Sequence, residues 1–374
     1  MSNSLFTTPS DVQDYNQSNM KLIIPSFLYL LTLARATPAQ YAGHPKWETL
    51  PDIPFNPRQE HVTLALSPST IAVLGGVIPA PSNSSASAIP FLTTSLLQLY
   101  SIPQRKWLAA PSPAPVALNH PNGAVVNSRI YLLGGLSEID ANITWSANPS
   151  SFVYSPKTDA WSSLPPIPAD QIPRGSAAMG VSNRGVIYLA GGMTALPLAG
   201  GTQESISEVA AFDTKTNKWI TLPPKARNLP AARDHAGAAV IDNKFYVVGG
   251  RDKGQLNVRD TVFVLDLDRP EKGWVTKKGR MPTARGGIAA AVLGDTIWTF
   301  GGEGDTSKES GVFDEVEVYD TARDKWEKVK SGMKVPRHGT SAVGVGGGLY
   351  IPGGGTVQGG SPVNVFDVFL PEGR

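Results

Sequence analysis

The chain of 374 residues has no cysteine, so it forms no disulfides and depends on its packed core for stability. Its formal charge is nearly balanced, at +2, and it lacks basic runs with interleaved aromatic residues, which argues against nucleic-acid binding. Long apolar runs are missing too. The apolar segment 22–33 has twelve residues and a proline, too few to cross a bilayer as a helix. With 41% hydrophobic residues, the chain can still bury a large core.

Several catalytic signatures are absent as well. The sequence has no Gly-x-Ser-x-Gly elbow and no glycine loop of the phosphate-binding kind. Its five histidines are dispersed along the chain, at His44, His61, His120, His235 and His338. Neither a metal site nor a cofactor is therefore predicted.

The most regular feature of the sequence is a Gly-Gly pair that returns six times, each time at the end of a strand-like apolar run. The pairs are Gly75-Gly76, Gly134-Gly135, Gly191-Gly192, Gly249-Gly250, Gly301-Gly302 and Gly353-Gly354. The steps between them are 59, 57, 58, 52 and 52 residues. A period near 50 residues is typical of a propeller or another repeat array.

Two further landmarks accompany each pair. A proline-rich stretch and a strand of small residues come before it, and an aromatic-Asp strand comes after it. That strand leads through a polar turn to a tryptophan: Trp107, Trp161, Trp219, Trp274 and Trp326. Each unit therefore reads as four strands, and six units predict an all-β, six-bladed β-propeller that forms a single domain over residues 41–374.

Over residues 45–370 the chain resembles the kelch repeat family. This resemblance extends to the galactose-oxidase-like propellers and implies a secreted member of fungal type. The resemblance implies a propeller that binds a partner. Some kelch-like propellers are copper radical oxidases, which need a cysteine cross-linked to a tyrosine. This chain has none, which excludes that activity.

The sixth repeat lacks a tryptophan after its glycine pair, while Trp47 near the start has no glycine strand before it. We therefore expect the strand around Trp47 to pair beside residues 364–370 and close the ring. Closure removes the open sheet edge that would otherwise invite aggregation.

The N-terminal residues 1–36 form a presequence in this interpretation. Residues 20–36 have the layout of a secretory signal peptide: Lys21, an apolar core, and a small-x-small site at residues 34–36. Residues 1–19 are then either an extension of the gene model or an unusually long leading region. Sequons at Asn83 and Asn142 predict a glycosylated, secreted protein, and a cytoplasmic one is the alternative if the signal is not used.

Arginines recur in the loop that leads into the small-residue strand, which we call the lead-in loop. In a four-stranded blade this loop and the loop after Gly-Gly share one face. The predicted ligand-binding residues on that face are Arg58, Arg174, Arg233, Arg285, Arg337, His120 and Arg251. A ring of guanidinium groups would favour a carboxylate, a phosphate or an acidic peptide. The repeated position is equally explained by arginines that only satisfy loop carbonyls.

Two functions are consistent with this face. The first is a monomeric, secreted binding protein for an acidic small molecule, glycan or protein, without nucleic acid or membrane anchor. The second is a cofactor-independent isomerase, mutarotase or cyclase, an activity that a resemblance to bacterial sialic-acid mutarotases implies. Its candidate catalytic residues are Glu303, Asp305, His235 and His338.

Overall fold

The computed structural model describes residues 45–80, 90–139, 144–198 and 202–371. The predicted signal peptide, Asn83 and Asn142 lie outside these residues. Within them, no helix has the length and apolar character needed to cross a membrane.

The described strands form six antiparallel blades of four strands each, and a fifth short strand joins the sheet of blade 2. An initial strand, β1 (Lys46–Leu50), belongs to the last blade. Blade 1 contains β2 (Val62–Ser67), β3 (Thr70–Leu74), β6 (Leu97–Ser101) and β7 (Lys106–Trp107), with a hairpin of β4 (Val77–Pro79) and β5 (Phe91–Thr93). Blade 2 contains β8 (Gly123–Val126), β9 (Arg129–Ile139), β10 (Thr144–Ser155) and β11 (Ala160–Leu164).

Blades 3 to 6 continue the same order. Blade 3 contains β12 (Ala178–Val181), β13 (Val186–Ala190), β15 (Val209–Asp213) and β16 (Lys218–Ile220), while its short β14 (Ala195–Pro197) pairs with β10. Blade 4 contains β17 (Gly237–Ile241), β18 (Lys244–Val248), β19 (Val262–Asp266) and β20 (Val275–Thr276). Blade 5 contains β21 (Ala289–Leu293), β22 (Thr296–Phe300), β23 (Val316–Asp320) and β24 (Lys325–Lys328). Blade 6 contains β25 (Val343–Val345), β26 (Gly348–Pro352) and β29 (Phe366–Leu370), with a hairpin of β27 (Gly355–Val357) and β28 (Gly360–Pro362). Short 3-10 helices occur at Pro224–Ala226 and Pro270–Lys272.

The ring closes in two ways. Each innermost strand contacts the innermost strands of both neighbouring blades, in the cyclic order β2, β8, β12, β17, β21, β25. In addition, β1 pairs with β29 in antiparallel register, from Lys46 opposite Leu370 to Leu50 opposite Phe366. The predicted all-β, six-bladed propeller is confirmed, and its first strand forms the outer edge of its last blade.

The Gly-Gly pairs mark the points where neighbouring blades meet. Gly301 and Gly302 have φ of +55° and +112°, and a side chain on Gly301 would lie 2.1 Å from the carbonyl oxygen of Arg337. The backbone N–H of Gly302 donates to that same oxygen at 2.9 Å. Glycine recurs here because only a residue without Cβ combines this conformation with such a close approach.

Candidate functional site

One face of the propeller is built by two sets of loop residues that pair across each blade. The residue after each Gly-Gly pair bridges to the lead-in loop. The bridges are Gln59–Val77, Asn119–Leu136, Gly175–Met193, Asp234–Arg251, Gly286–Glu303 and His338–Gly355. This confirms that the two kinds of loop share a face. The bridging residues are apolar after Gly-Gly in blades 1 to 3, whereas blades 4 and 5 carry charged ones.

Around the axis at this face runs a closed circle of one residue per blade, which we call the central ring. Its members are Glu60, His120, Ser176, His235, Gly287 and Gly339, all with φ between +49° and +62°. At five of the six steps a backbone N–H donates to the carbonyl of the preceding member, at 2.5–3.1 Å. At the sixth, the N–H of His235 donates to Ser176 Oγ at 3.2 Å. The circle holds four non-glycine residues in a backbone region that such residues seldom adopt.

The five repeated arginines lie away from this axis, inside their own blades. Arg58, Arg174, Arg285 and Arg337 have no exposed surface, and Arg233 is 2% exposed. Their guanidinium groups contact strand ends of the same blade. Arg58 contacts Gly75 and Gln98, and Arg174 contacts Glu208. Arg233 contacts Thr261, Arg285 contacts Thr299 and Glu317, and Arg337 contacts Ile351 and Asp367. The structure does not bring them together as a ring of cations at the channel mouth. Ligand binding by these arginines stays a prediction.

A buried polar cluster instead occupies the central ring, and His235 lies at its middle. His235 Nδ1 is 2.6 Å from Asp234 Oδ1. Burial raises the pKa of Asp234, but Arg251 and hydrogen bonds from His235 and Ser205 outweigh burial and hold that pKa at about 2. The ionised carboxylate can only accept, so Nδ1 donates. On the other side of the imidazole, Arg251 Nη2 lies 3.2 Å from Nε2. A guanidinium can only donate, so Nε2 carries a lone pair.

His120 is oriented in the same way by the residue before it. Its Nδ1 is 2.6 Å from Asn119 Oδ1, and Asn119 Nδ2 donates to Thr93 Oγ1 at 2.9 Å. Nδ1 therefore donates and Nε2 carries the lone pair. Burial is the largest cause that holds the pKa of His120 well below its usual value.

Glu60 completes a converging set of three groups. Its Oε2 is 3.1 Å from His120 Nε2 and 3.7 Å from His235 Nε2, and the two Nε2 atoms are 3.1 Å apart. These three atoms lie within 4.8 Å of one another, as the ligands of a single ion do. All three residues line the central channel.

Further charged groups extend the cluster towards blades 5 and 6. Arg251 makes an ion pair with Glu303, and its Nε donates to Asp234 Oδ1 at 2.9 Å. Burial raises the pKa of Glu303, but the charges of His338 and Arg251 outweigh burial, so the net shift is downward. His338 Nε2 donates to the carbonyl of Val357 at 2.9 Å, and its Nδ1 is 3.4 Å from Glu303 Oε2.

The predicted candidates thus divide into two groups. His120, His235, His338, Arg251 and Glu303 meet in the cluster. Asp305 instead bonds within its own loop, where its Oδ1 accepts from the backbone and hydroxyl of Ser307. Asp305 as a catalytic residue stays a prediction.

An apolar wall flanks the cluster on the side of blades 1 to 3. Trp145 lies with its ring centroid 5.8 Å from that of His120 and packs with Val77, Leu136, Met193 and Leu196. Below the central ring, a channel of about 270 Å³ runs between the innermost strands and is lined by small residues such as Ala178, Ala238 and Ala290. A volume of that size suits a small molecule and excludes a folded partner.

Sequence reasoning missed Glu60 and Asp234. The signal was present: counting two residues from each lead-in arginine gives Glu60, Ser176, His235, Gly287 and Gly339, and the equivalent position of repeat two gives His120. These are the members of the central ring. The position varies in residue type from blade to blade, so it does not stand out as a repeat.

Comparison with known proteins places these features in context. The family model described as "KLHDC2/KLHL20/DRC7 Kelch-repeats domain" matches residues 43–250 and 122–355. The chain is 39% identical to the Kelch-like protein terF of Aspergillus terreus over 354 residues, which are 93% of this chain and 73% of that protein. It is 29% identical to Beta-scruin of Limulus polyphemus over 231 residues, 62% of this chain and 24% of that protein. It is also 30% identical to an N-acetylneuraminate epimerase of Brucella suis over 148 residues, 39% of this chain and 35% of that protein.

Proposed function

Because this chain belongs to the kelch-repeat family, we propose that it is a binding protein whose ligand is a small polar molecule held in the central channel. The observation that carries this proposal is the buried cluster of Glu60, His120 and His235 at the central ring, next to a channel of about 270 Å³. Ligand pockets typically join apolar walls to a few converging polar groups, and Trp145 provides such a wall beside His120.

The proposal also concerns which ligand charge the site prefers. Arg251 is the arginine that contacts the cluster, and it is already paired with Asp234 and Glu303. An acidic ligand would have to compete for that guanidinium. A panel of small carboxylic acids, each matched with its amide, therefore measures whether the acidic preference that the sequence suggests is present.

The test is calorimetric titration of this panel and of neutral sugars into the purified chain and into a channel-filling variant. Ala290 lines the channel, so Ala290→Phe should abolish binding. Ala160→Phe makes the same change at an exposed position of β11 and should bind as the original does. If no small molecule binds, or if both variants bind equally, the ligand is not held in the channel.

A second candidate function is isomerisation of a carboxylated sugar or related compound by proton transfer. A carboxylate oxygen of Glu60 lies 3.1 Å from a ring nitrogen of His120, a pair suited to acid–base work, and part of the chain is similar to an N-acetylneuraminate epimerase. The anomers of a carboxylated sugar, followed by NMR, should then interconvert faster in the presence of the chain and without added cofactor. Glu60→Gln should stop this acceleration, and absence of acceleration with the original chain removes the candidate.

Secretion belongs to the same proposal. Residues 20–36 have the layout of a signal peptide, and Asn83 and Asn142 lie in sequons. N-terminal sequencing and intact mass of the protein from culture medium should show a start near Thr37 or Tyr41 and added glycan mass. A full-length form found only in the cell lysate would contradict secretion.

A further inference from the structure

Three atoms that can act as electron-pair donors, Glu60 Oε2 and the Nε2 atoms of His120 and His235, lie 3.1–3.7 Å from one another in the central ring. The partners of His235 place its proton on Nδ1, because Asp234 only accepts and Arg251 only donates. The contact between His120 and Asn119 does the same for the second imidazole. Two unprotonated nitrogens and a carboxylate oxygen in contact repel each other unless a cation lies between them.

The spacing of these atoms fits a single ion. Ligands about 2.0–2.2 Å from an ion, at tetrahedral or octahedral angles, stand about 2.8–3.6 Å apart. The three distances here are 3.1, 3.1 and 3.7 Å. The circle through the three atoms has a radius of about 1.9 Å, so an ion with ordinary bond lengths fits without moving any of them.

The surroundings of the three ligands also favour a cation. Three carboxylates, those of Glu60, Asp234 and Glu303, lie in the cluster, and the guanidinium of Arg251 pairs with Asp234 and Glu303, which leaves a net charge of −2 when the imidazoles, including that of His338, are neutral. Both imidazoles donate their remaining N–H to a side-chain oxygen, the arrangement that orients histidines bound to metals.

We propose that Glu60, His120 and His235 bind one divalent first-row transition-metal ion, such as Zn²⁺ or Fe²⁺. Two imidazoles and one carboxylate leave coordination positions open, and because the three residues line the channel, these positions face it. Arg251 gives up its contact with His235 Nε2 to the ion and stays held by Asp234 and Glu303. Asn119 and Asp234 are positioning residues for the two imidazoles.

The test uses cobalt as a spectroscopic probe. The full chain is treated with a chelator and then titrated with Co²⁺ alone, followed by visible absorption and by elemental analysis after gel filtration. We expect one ion per chain and absorption bands of a site with nitrogen and oxygen ligands. X-ray absorption of the original chain loaded with Zn²⁺ should report imidazole ligands, a result that requires no variant to fold.

Matched variants identify the ligands. His120→Gln and Glu60→Gln should each weaken Co²⁺ binding by more than about 100-fold, and Asn119→Leu by about 10–100-fold. The control is His61→Gln, because His61 is equally buried beside the ring but contacts Thr340. Absence of the cobalt bands, or equal affinity of the His120 and His61 variants, would overturn the proposal and leave a shared proton between the three groups.

This inference uses the cluster of the proposed function but does not require the organic ligand. The metal titration contains no small molecule, and the ligand panel can be run on chelator-treated chain. A metal site without ligand binding, or ligand binding without metal, would therefore each be recognised.

Discussion

At the scale of single residues, the lead-in arginine serves two blades at once. The carbonyl oxygen of Arg337 accepts a hydrogen bond from Gly302 of blade 5, while its guanidinium bonds to Ile351 and Asp367 of blade 6. The recurrence of this arginine is therefore explained by the backbone N–H and carbonyl groups to which it bonds. The side chain adds an ion pair or hydrogen bonds within a blade, at a depth where water does not reach.

The buried ion pair of Arg285 and Glu317 allows a direct measurement of how much the side chain of a lead-in arginine contributes to stability. Both side chains are fully buried and 3.3 Å apart. We expect Arg285→Met to lower the free energy of unfolding by about 3–5 kcal/mol, because the buried Glu317 carboxylate loses this close partner and retains only the more distant Lys328 Nζ, 4.0 Å from its Oε1. Arg285→Met combined with Glu317→Met should lose much less. Urea unfolding of both variants checks this, and equal losses would show that the charge left behind is not the cause.

The central ring makes a second prediction about residues. Gly287 and Gly339 have φ of +62° and +58°, so alanine is similarly strained at either, at about 1–2 kcal/mol. The space around them differs: a Cβ on Gly287 meets nothing closer than 3.4 Å, while one on Gly339 would lie 2.2 Å from Glu60 Oε1. Gly339→Ala should therefore lose more stability than Gly287→Ala and displace Glu60. Thermal unfolding compares them, and equal midpoints would contradict the contact.

At the scale of elements, the turn before the outer strand ties blades 2 and 5 to the connections that precede them. Asp159 accepts hydrogen bonds from the backbone and hydroxyl of Ser112 and from Tyr154. Asp324 does the same in blade 5, with Lys278, Gly279 and Tyr319. Trp161 adds a hydrogen bond to the carbonyl of Ser112. The landmark tyrosine, an aspartate of the polar turn and the tryptophan of blade 2 are thus parts of this junction.

The stability that this junction contributes in blade 2 should depend on pH. The backbone N–H of Ser112, with the hydroxyl of Tyr154, lowers the pKa of Asp159 below its ordinary value of 3.8. A carboxyl group whose pKa is lower in the folded state stabilises the fold above its ordinary, unfolded pKa. This contribution is lost as the pH falls through the folded pKa. Asp159→Asn should therefore lower the unfolding midpoint at pH 7, and the difference from the original chain should shrink below pH 3.8.

The measurement is thermal unfolding of the two chains across a series of buffers. Asp170→Asn, at an exposed aspartate in the following loop, is the matched control and should follow the original chain. A difference between Asp159→Asn and the original that stays constant with pH would show that the carboxylate charge is not involved.

At the scale of the whole molecule, the ring is held by a strand from each end of the propeller. Trp47 of β1 packs against Phe369 of the same blade and Phe300 of blade 5, with ring centroids 4.8 and 5.9 Å apart. It is 8% exposed and belongs to a core that joins blades 5 and 6. The first strand therefore stabilises two blades.

Loss of this strand should weaken the entire ring. We expect Trp47→Ala to lower the free energy of unfolding by about 3–5 kcal/mol, as for other large buried side chains. Deletion of residues 1–50 should lower it further, and a synthetic peptide of residues 45–52 should restore part of the unfolding midpoint. A deletion variant with the midpoint of the full chain would show that β1 is dispensable.

The sequence predicted the propeller well because its architecture depends on residues that repeat. Each blade has glycines where the next backbone approaches and a tryptophan on or beside the outer strand, and five of the six blades have an arginine near the glycines. The polar cluster was not predictable in this way. Glu60, His120 and His235 are far apart in sequence, and their shared ring position is filled by serine or glycine in other blades. A repeated residue reflects the scaffold, whereas a position that varies on a constant backbone is where a site can be built.

The pairing of β1 with β29 also has a consequence for synthesis. The ribosome makes Lys46–Leu50 about 320 residues before Phe366–Leu370. At about 5–20 residues per second, the first strand waits on the order of tens of seconds for its partner. The other five blades can assemble meanwhile, but the last blade is completed only when Phe366–Leu370 has left the exit tunnel. Until then Trp47 is without the partner ring of Phe369, and the nascent chain carries an open sheet edge that a chaperone can occupy.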